Sequence, residues 1–211
     1  MNKRNFALFA VALSTLSPAA VASSPDKVVD EIRIDKSDHK LELVASGNVV
    51  ASSETPLATV AVGVAVRKGA PKPDISTPDA VKKMLLAAKS ISYPDAAGGA
   101  AAGVSFNETL KKMGLAEQLQ PKIKLAQGGA AAMAMVAKGE VEIGLTFVSE
   151  MRDDGIDIVG PLPRAISTPT GLVGYVSSHA KDPAAAKALL EFLSSPDAAA
   201  VYQAEGMQPG R

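Results

Sequence analysis

The sequence predicts an α/β fold. Three observations carry that prediction. From Val60 to Val159, short β-branched runs alternate with segments whose apolar residues have helical spacing. The pentapeptide Gly-Gly-Ala-Ala-Ala occurs twice, at 98–102 and 128–132, each time between a strand-like run and a helix-like run. Helix ends are marked by a capping residue followed by proline, or by a glycine after an apolar stripe. Strands that alternate with helices imply a largely parallel sheet covered by those helices.

Val60–Val66, rich in β-branched residues, predicts a strand buried on both faces. Lys68 to Pro73 breaks the pattern as a loop. Thr77 is a helix N-cap with Pro78 at the first helical position, and Val81, Met84, Leu85 and Ala88 stripe the helix. Ile91–Tyr93 is a short strand. Phe106, Leu110 and Met113 stripe the next helix, which Gly114 stops. Ile123–Leu125 is a strand; Ala132, Met135 and Val136 stripe a helix that Gly139 stops. Ile143–Val148 and Ile156–Val159 are strands. Asp182-Pro183 and Ser195-Pro196 start two tail helices. The first carries Ala186, Leu189, Leu190 and Leu193 on one face, and Gly206 ends the second. The region before Val60 is thinner, with one candidate strand near Ile32–Ile34 and a helical turn from Leu41 to Val44 that ends at Gly47.

Residues 1–22 read as an export signal, not as structure. Lys3 and Arg4 form a positive start, Phe6–Leu16 is an apolar run too short to span a bilayer, and Ala20-Val21-Ala22 is a cleavage site. The chain has no cysteine, which excludes a lipid-modified cysteine, disulfides and thiolate chemistry. Lys and Arg total 22, as do Asp and Glu. Removing Lys3 and Arg4 leaves the mature chain two charges negative. Its cations are scattered, so nucleic acid is not an expected partner. A soluble periplasmic monomer is the expectation.

Each copy of the repeated pentapeptide marks a junction where a strand hands over to a helix. Ligands of open α/β sheets bind at the carboxyl ends of the strands. Glycine lets backbone approach a ligand, and a helix start offers N–H groups and partial positive charge to an anion. The alternative is that the Gly and Ala residues only make tight turns. The spacing is neither a dinucleotide fingerprint nor a P-loop.

VAVGVAVRKGAPKP (60–73), ISYPDAAGGAAAGVSF (91–106), AAAMAMVAKGEVEIGLTFVSEM (130–151) and the tail from Ser177 to Met207 are similar to the periplasmic molybdate-binding proteins of ABC importers and their relatives. The similarity covers about residues 41–211. It implies a type II periplasmic binding fold, with lobe one at 23–67 and 169–211, lobe two at 68–168, and crossings at Val60–Val66 and Gly171–Ser177. It implies that a small anionic ligand sits between the lobes and that the partners are ABC permease membrane subunits. Helix-start N–H groups fall at Ala102 and Gly129 in the two turns, beside Gly103 and Gly128. Tyr93 ends the strand next to the first turn. Phe147 stands where molybdate binders carry a tyrosine, before Ser149-Glu150, and phenylalanine cannot donate that hydrogen bond. The implied ligand is therefore a molybdate-like oxyanion or an organic acid. Between Ala22 and Val60 the chain is too short for the early ligand loops of relatives, so lobe one is expected to be shortened.

No cofactor, metal site or catalytic residue is assigned. His39 and His179 lack neighbours at metal-ligand spacing. Met133 and Met135 have core spacing. Arg152 to Gly155 reads as a turn, and Glu150 is the weak candidate for a general base. The expected function is solute binding. An isomerase of a small polycarboxylate resembling aconitate isomerase, and a shortened paralogue that binds nothing, are the alternatives. The signal predicts that protein recovered from a periplasmic extract begins at Ser23 by mass spectrometry; soluble protein that retains Met1 would overturn it.

Overall fold

A computed structural model describes residues 31–35, 40–44 and 49–210. The signal-like segment and His39 lie outside them. Strands β1 (Glu31–Asp35) and β2 (Lys40–Val44) pair antiparallel in a sheet of their own. The residues given to a helical turn thus form a strand. Lys-Leu-Glu-Leu-Val alternates with period 2, and the register sets Arg33 opposite Glu42 and Asp35 opposite Lys40.

Two sheets organise the rest. The larger has the order β6-β5-β7-β4-β8, from β4 (Val62–Arg67), β5 (Ile91–Pro94), β6 (Ile123–Ala126), β7 (Ile143–Phe147) and β8 (Ile156–Pro161). The smaller has the order β10-β3-β9, from β3 (Thr55–Val60), β9 (Thr170–Gly174) and β10 (Gln208–Pro209). Strand β5 runs parallel to both β6 and β7, whereas β4 runs antiparallel to β7 and β8. The smaller sheet is antiparallel throughout. Parallel pairing therefore belongs to the strand–helix units alone. The strands that carry the chain between sheets run against their neighbours.

The apolar run at 60–66 is two strands. It breaks at Ala61, where the chain leaves the small sheet and enters the large one. The chain returns between Pro161 and Thr170. The two passages touch where Leu162 N–H donates to the Val62 carbonyl (2.9 Å), and the end of β7 reaches the same place, Val148 N–H donating to the Ala61 carbonyl (3.0 Å).

Helices α1 (Pro78–Ala87) and α2 (Ala101–Lys112) cover one face of the large sheet. Val62, Val64, Val66, Ile91, Tyr93, Ile143, Leu145 and Phe147 point there and meet Val81, Leu85, Phe106 and Leu110. A short α3 (Ala116–Leu119) adds Leu119. Helix α4 (Gly129–Ala137) covers the opposite face with Ala132, Met133 and Val136 against Ala65 and Gly144. The alternation in β4, β5 and β7 thus sorts one set of residues to α1–α2 and the other to α4. Thr77 Oγ1 accepts from Ala80 N–H (3.1 Å), as its capping role requires.

Helices α5 (Pro183–Leu193) and α6 (Pro196–Ala204) pack on the small sheet, where Ala58, Ala198 and Tyr202 form a minor core. Asp182 caps α5 by accepting from Ala185 N–H (2.9 Å). Ser195 occupies the cap position of α6, but its hydroxyl is buried without a hydrogen-bond partner. On α5, Leu193 is buried and Leu190 half-buried, whereas Leu189 is 49% exposed. Of the four residues that the spacing put on one face, Ala186, Leu190 and Leu193 face the small sheet side and Leu189 turns outward. Leu190 packs where Gly174 leaves room, and Phe192 points outward with Leu189.

Gly103 shows how tightly α2 sits on the end of β5. A Cβ there would run into the Pro94 carbonyl and the Ala96 backbone nitrogen, neither of which can move like a side-chain tip. Gly98 has nothing within 4 Å of its would-be Cβ and no positive φ. Gly103→Ala should therefore destabilise by about 1–3 kcal/mol through overpacking. Gly98→Ala should be neutral or stabilising by about 0.4–1 kcal/mol through lost chain entropy. Urea unfolding of both variants checks this, and equal effects would overturn the packing assignment.

Candidate functional site

The candidate site lies where β5, β6 and β7 end. The two identical pentapeptides begin their helices in different frames. In the first copy, Asp95 caps a single 3-10 turn at Ala96–Gly98, Gly99 closes it at φ 81°, and Ala100 is the N-cap of α2. In the second, Gly128 at φ 95° is itself the N-cap, and α4 starts at Gly129. Gly128 needs its glycine for that left-handed backbone. The first helix thus starts on the fourth residue of the pentapeptide and the second helix on the second residue.

One atom joins the two junctions. The Ala126 carbonyl accepts from Asp95 N–H in the first junction and from Gly128 N–H in the second, both at 2.9 Å. The first N–H groups of α2 and α4 have no acceptor within their own helices. The two strand-to-helix junctions are therefore tied to one point at the end of β6, at the cap of α4 in one and at the residue before the 3-10 turn that leads to α2 in the other.

Ala102 is the second helical residue of α2 and is buried; Gly103 follows it against β5. Tyr93 stands at the end of β5 with its ring edge-on to Phe106, centroids 4.9 Å apart. Its hydroxyl donates to Asn107 Oδ1 (2.7 Å). Burial, and secondarily the charge of Asp95, push that hydroxyl above its ordinary pKa. Phe147 is the last residue of β7, 7% exposed, in the same core cluster as Tyr93 and Phe106. Ser149 lies in the 3-10 turn Val148–Glu150. Its carbonyl accepts from Arg152 Nε (2.9 Å), and its backbone nitrogen lies beside Gly206 at the end of α6.

Two residues join this set that spacing did not single out together. Thr146, buried on the α4 face of β7, donates its hydroxyl to Glu150 Oε2. Both side chains occupy the space a Cβ on Gly129 would need. A carboxylate of the chain itself thus stands at the start of α4. No periodic signal reveals it, because the 3-10 turn folds Glu150 back over β7. Arg152 also pairs with Glu205 on the C-terminal side of α6.

Among the described residues, no three acidic, His or Cys side chains group as a metal site, and no helix is long and apolar enough to cross a membrane. Met133 is core, and Met135 receives a hydrogen bond from Ser92 Oγ (3.5 Å). Asp153 closes its turn by accepting from Gly155 N–H (2.8 Å). A groove of about 300 Å³ lies elsewhere, along the second half of α2 and the passage at 162–169. None of the seven candidate residues lines it.

The sequence family described as bacterial extracellular solute-binding protein matches residues 25–208. The chain belongs to that family. It is 38% identical over 170 residues to an aconitate isomerase of Pseudomonas sp, covering 80% of this chain and 63% of that protein. It is 33% identical over 178 residues to the molybdate-binding protein ModA of Azotobacter vinelandii, covering 82% of this chain and 67% of that one. The chain thus spans about two thirds of the length of these relatives. A Clostridium difficile domain, described as the substrate-binding part of a molybdenum ABC transporter, superposes with TM-score 0.67 at 20% identity, over 78% of this chain and 69% of that one. The fold is that of the type II periplasmic binding proteins, and the similarity to molybdate-binding relatives that the motifs carry is borne out.

The Tyr93 hydroxyl gives a test of local packing. Its folded pKa is raised, so its contribution to stability is complete below the unfolded value near 10 and is lost as pH rises through the folded value. Tyr202, raised by burial, adds to the same loss. Tyr93→Phe should cost about 0.5–1.5 kcal/mol at neutral pH, from the lost bond to Asn107. It should also flatten the fall in stability above about pH 10. Denaturation series across that range check it, and an unchanged alkaline slope would overturn the assignment.

Proposed function

We propose that the chain is a solute-binding protein that takes a small oxyanion or organic acid at the junctions of β5–α2 and β6–α4. It would deliver that ligand to the membrane subunits of an ABC importer from the periplasm. The observation that carries this reading is the Ala126 carbonyl, which links the two strand-to-helix junctions at the carboxyl ends of parallel strands. Helix starts attract anions through exposed N–H groups and partial positive charge. Family membership supports the same reading. The ligand-contact set is Tyr93, Ala102, Gly103, Gly128, Gly129, Phe147 and Ser149.

A second reading is an isomerase of a small polycarboxylate. Two observations favour it: the 38% identity to an aconitate isomerase, and a carboxylate oriented by Thr146 at the start of α4. Proton transfer needs a positioned base, and Glu150 has the chemistry for it. Incubation with cis-aconitate, followed by ultraviolet absorbance for conversion to the trans isomer, separates the readings.

Binding is tested by thermal shift of the mature protein against molybdate, tungstate, sulfate, phosphate, citrate and aconitate. A ligand at a hundred times its Kd adds about 2.7 kcal/mol of stability, a readily measured shift. Ala101→Asp places a negative charge at the exposed first residue of α2. It should weaken binding of the shifting ligand about tenfold, since like charges a few ångströms apart cost about 1–4 kcal/mol. Lys111→Asp, at the far end of α2, should change binding little. Equal effects of the two variants, or no shift with any ligand, would overturn the reading.

A further inference from the structure

The chain passes between the two sheets at Ala61 and again at 162–169. Beside the first passage the two halves also meet through side chains. Val148, the first residue of the 3-10 turn after β7, stands between two glycines. Its Cγ2 lies 2.7 Å from where a Cβ on Gly63 would stand, and its Cγ1 lies 2.9 Å from where one on Gly206 would stand. Gly63 belongs to β4 of the large sheet, whereas Gly206 follows α6, which packs on the small sheet. Each methyl group thus fills a notch that only glycine leaves open. Gly206 is doubly required, because its φ of 75° also disfavours any other residue. The backbone of Val148 is fixed as well, its N–H donating to the Ala61 carbonyl (3.0 Å).

A second fastening lies just beyond this turn. Arg152 donates from Nε to the Ser149 carbonyl (2.9 Å) and pairs through Nη2 with Glu205, the cap residue at the end of α6. Its positive charge also suits the carbonyl end of that helix. The ion pair alone is weak, since its side chains are 66% and 30% exposed and salt screens it. It does not act alone. The valine wedge and the ion pair hold the adjacent residues 206 and 205 from one turn of the large-sheet half. A rotation about Ala61 that separates the halves has to lift Gly206 off Val148 and part Arg152 from Glu205 together.

We propose that Val148 and the Arg152–Glu205 pair form a latch at the joint, which holds the small-sheet half in one position against the large-sheet half. Packed contacts of this kind are either made or broken and do not deform continuously, so release of the latch gives a second, displaced arrangement. Ser149 lies in the latched turn, so the joint and the candidate site share an element. The latch stands apart from the solute-binding reading, because it concerns the motion of the two halves whatever lies between them.

Distances between two spin labels test it. The chain has no cysteine, so Lys82→Cys on α1 and Ala188→Cys on α5, both exposed, give the label sites in the otherwise intact mature chain. In the labelled parent one distance dominates. Glu205→Gln removes the ion pair and raises the share of a second distance about two- to fivefold. Val148→Ala removes the wedge and raises it about tenfold. Salt at about 1 M reproduces the Glu205→Gln effect in the parent and adds nothing in that variant. Lys187→Gln, which breaks the exposed Lys187–Glu191 pair within α5, leaves the distribution as it was. The melting transition of each variant shows that it is folded, and Glu205→Gln, a surface change, decides alone if Val148→Ala does not fold. An unchanged distribution in either folded variant, a parent already spread over both distances, or an equal effect of Lys187→Gln overturns the latch.

Discussion

The carbonyl of Ala126 is the constraint on which the site depends. It lies at the end of β6 and receives one N–H from each of the two glycine junctions. A carbonyl has two lone pairs, and here each is used to fix a different strand-to-helix turn. Parallel pairing of β5 with β6 brings the strand ends level, and the shared acceptor turns that proximity into a fixed relation between α2 and α4. The packing of both helices follows from the same point. Gly103 lets α2 drop onto the carbonyl of Pro94, and Gly129 lets α4 begin beside Thr146. The repeated pentapeptide is thus not a repeated structure. It supplies small residues to two junctions that use them in different frames.

Much of the large sheet was legible in the sequence. Strand–helix alternation and the capping residues Thr77 and Asp182 acted through local forces that a window of ten or so residues contains. Gly114 and Gly139, both at positive φ, stop their helices for the same local reason. What was not legible required contacts distant in the chain. The break at Ala61 is set by which sheet each half of an unbroken valine run joins, and Val60 before it and every residue from 62 to 66 after it are buried alike. The outward turn of Leu189 on α5 goes with Leu190 being the residue that meets Gly174 of the small sheet. The strand at Lys40–Val44 was hidden because its partner, not its own propensity, fixes it.

The candidate site divides in the same way. The glycines, Tyr93 and the end of β7 were visible because turns and strand ends leave compositional marks. The Thr146–Glu150 pair was not, although both residues were in view, because only the 3-10 turn after β7 folds Glu150 back onto Thr146. Asp95 is similar: it caps a turn before α2 that the pentapeptide alone does not announce. Each of the two junctions therefore carries an acid from its own chain.

The two sheets are unequal in what they bury. The large sheet is covered on both faces, with Phe106, Leu85, Leu110 and Leu145 removed from water. The small sheet rests on Ala58, Ala198 and Tyr202, and its helix α5 keeps Leu189 and Phe192 at the surface. Free energy against local opening follows buried apolar area, so the molecule has a hierarchy of cooperative units. By that relation, openings of β3, β9 and β10 cost less buried apolar surface than openings of β4, β5 and β7. Leu172 and Met207 touch both cores and mark the boundary between the units. The part of the chain that carries the strand ends is the one with the larger buried apolar surface, so its geometry is the costlier to disturb.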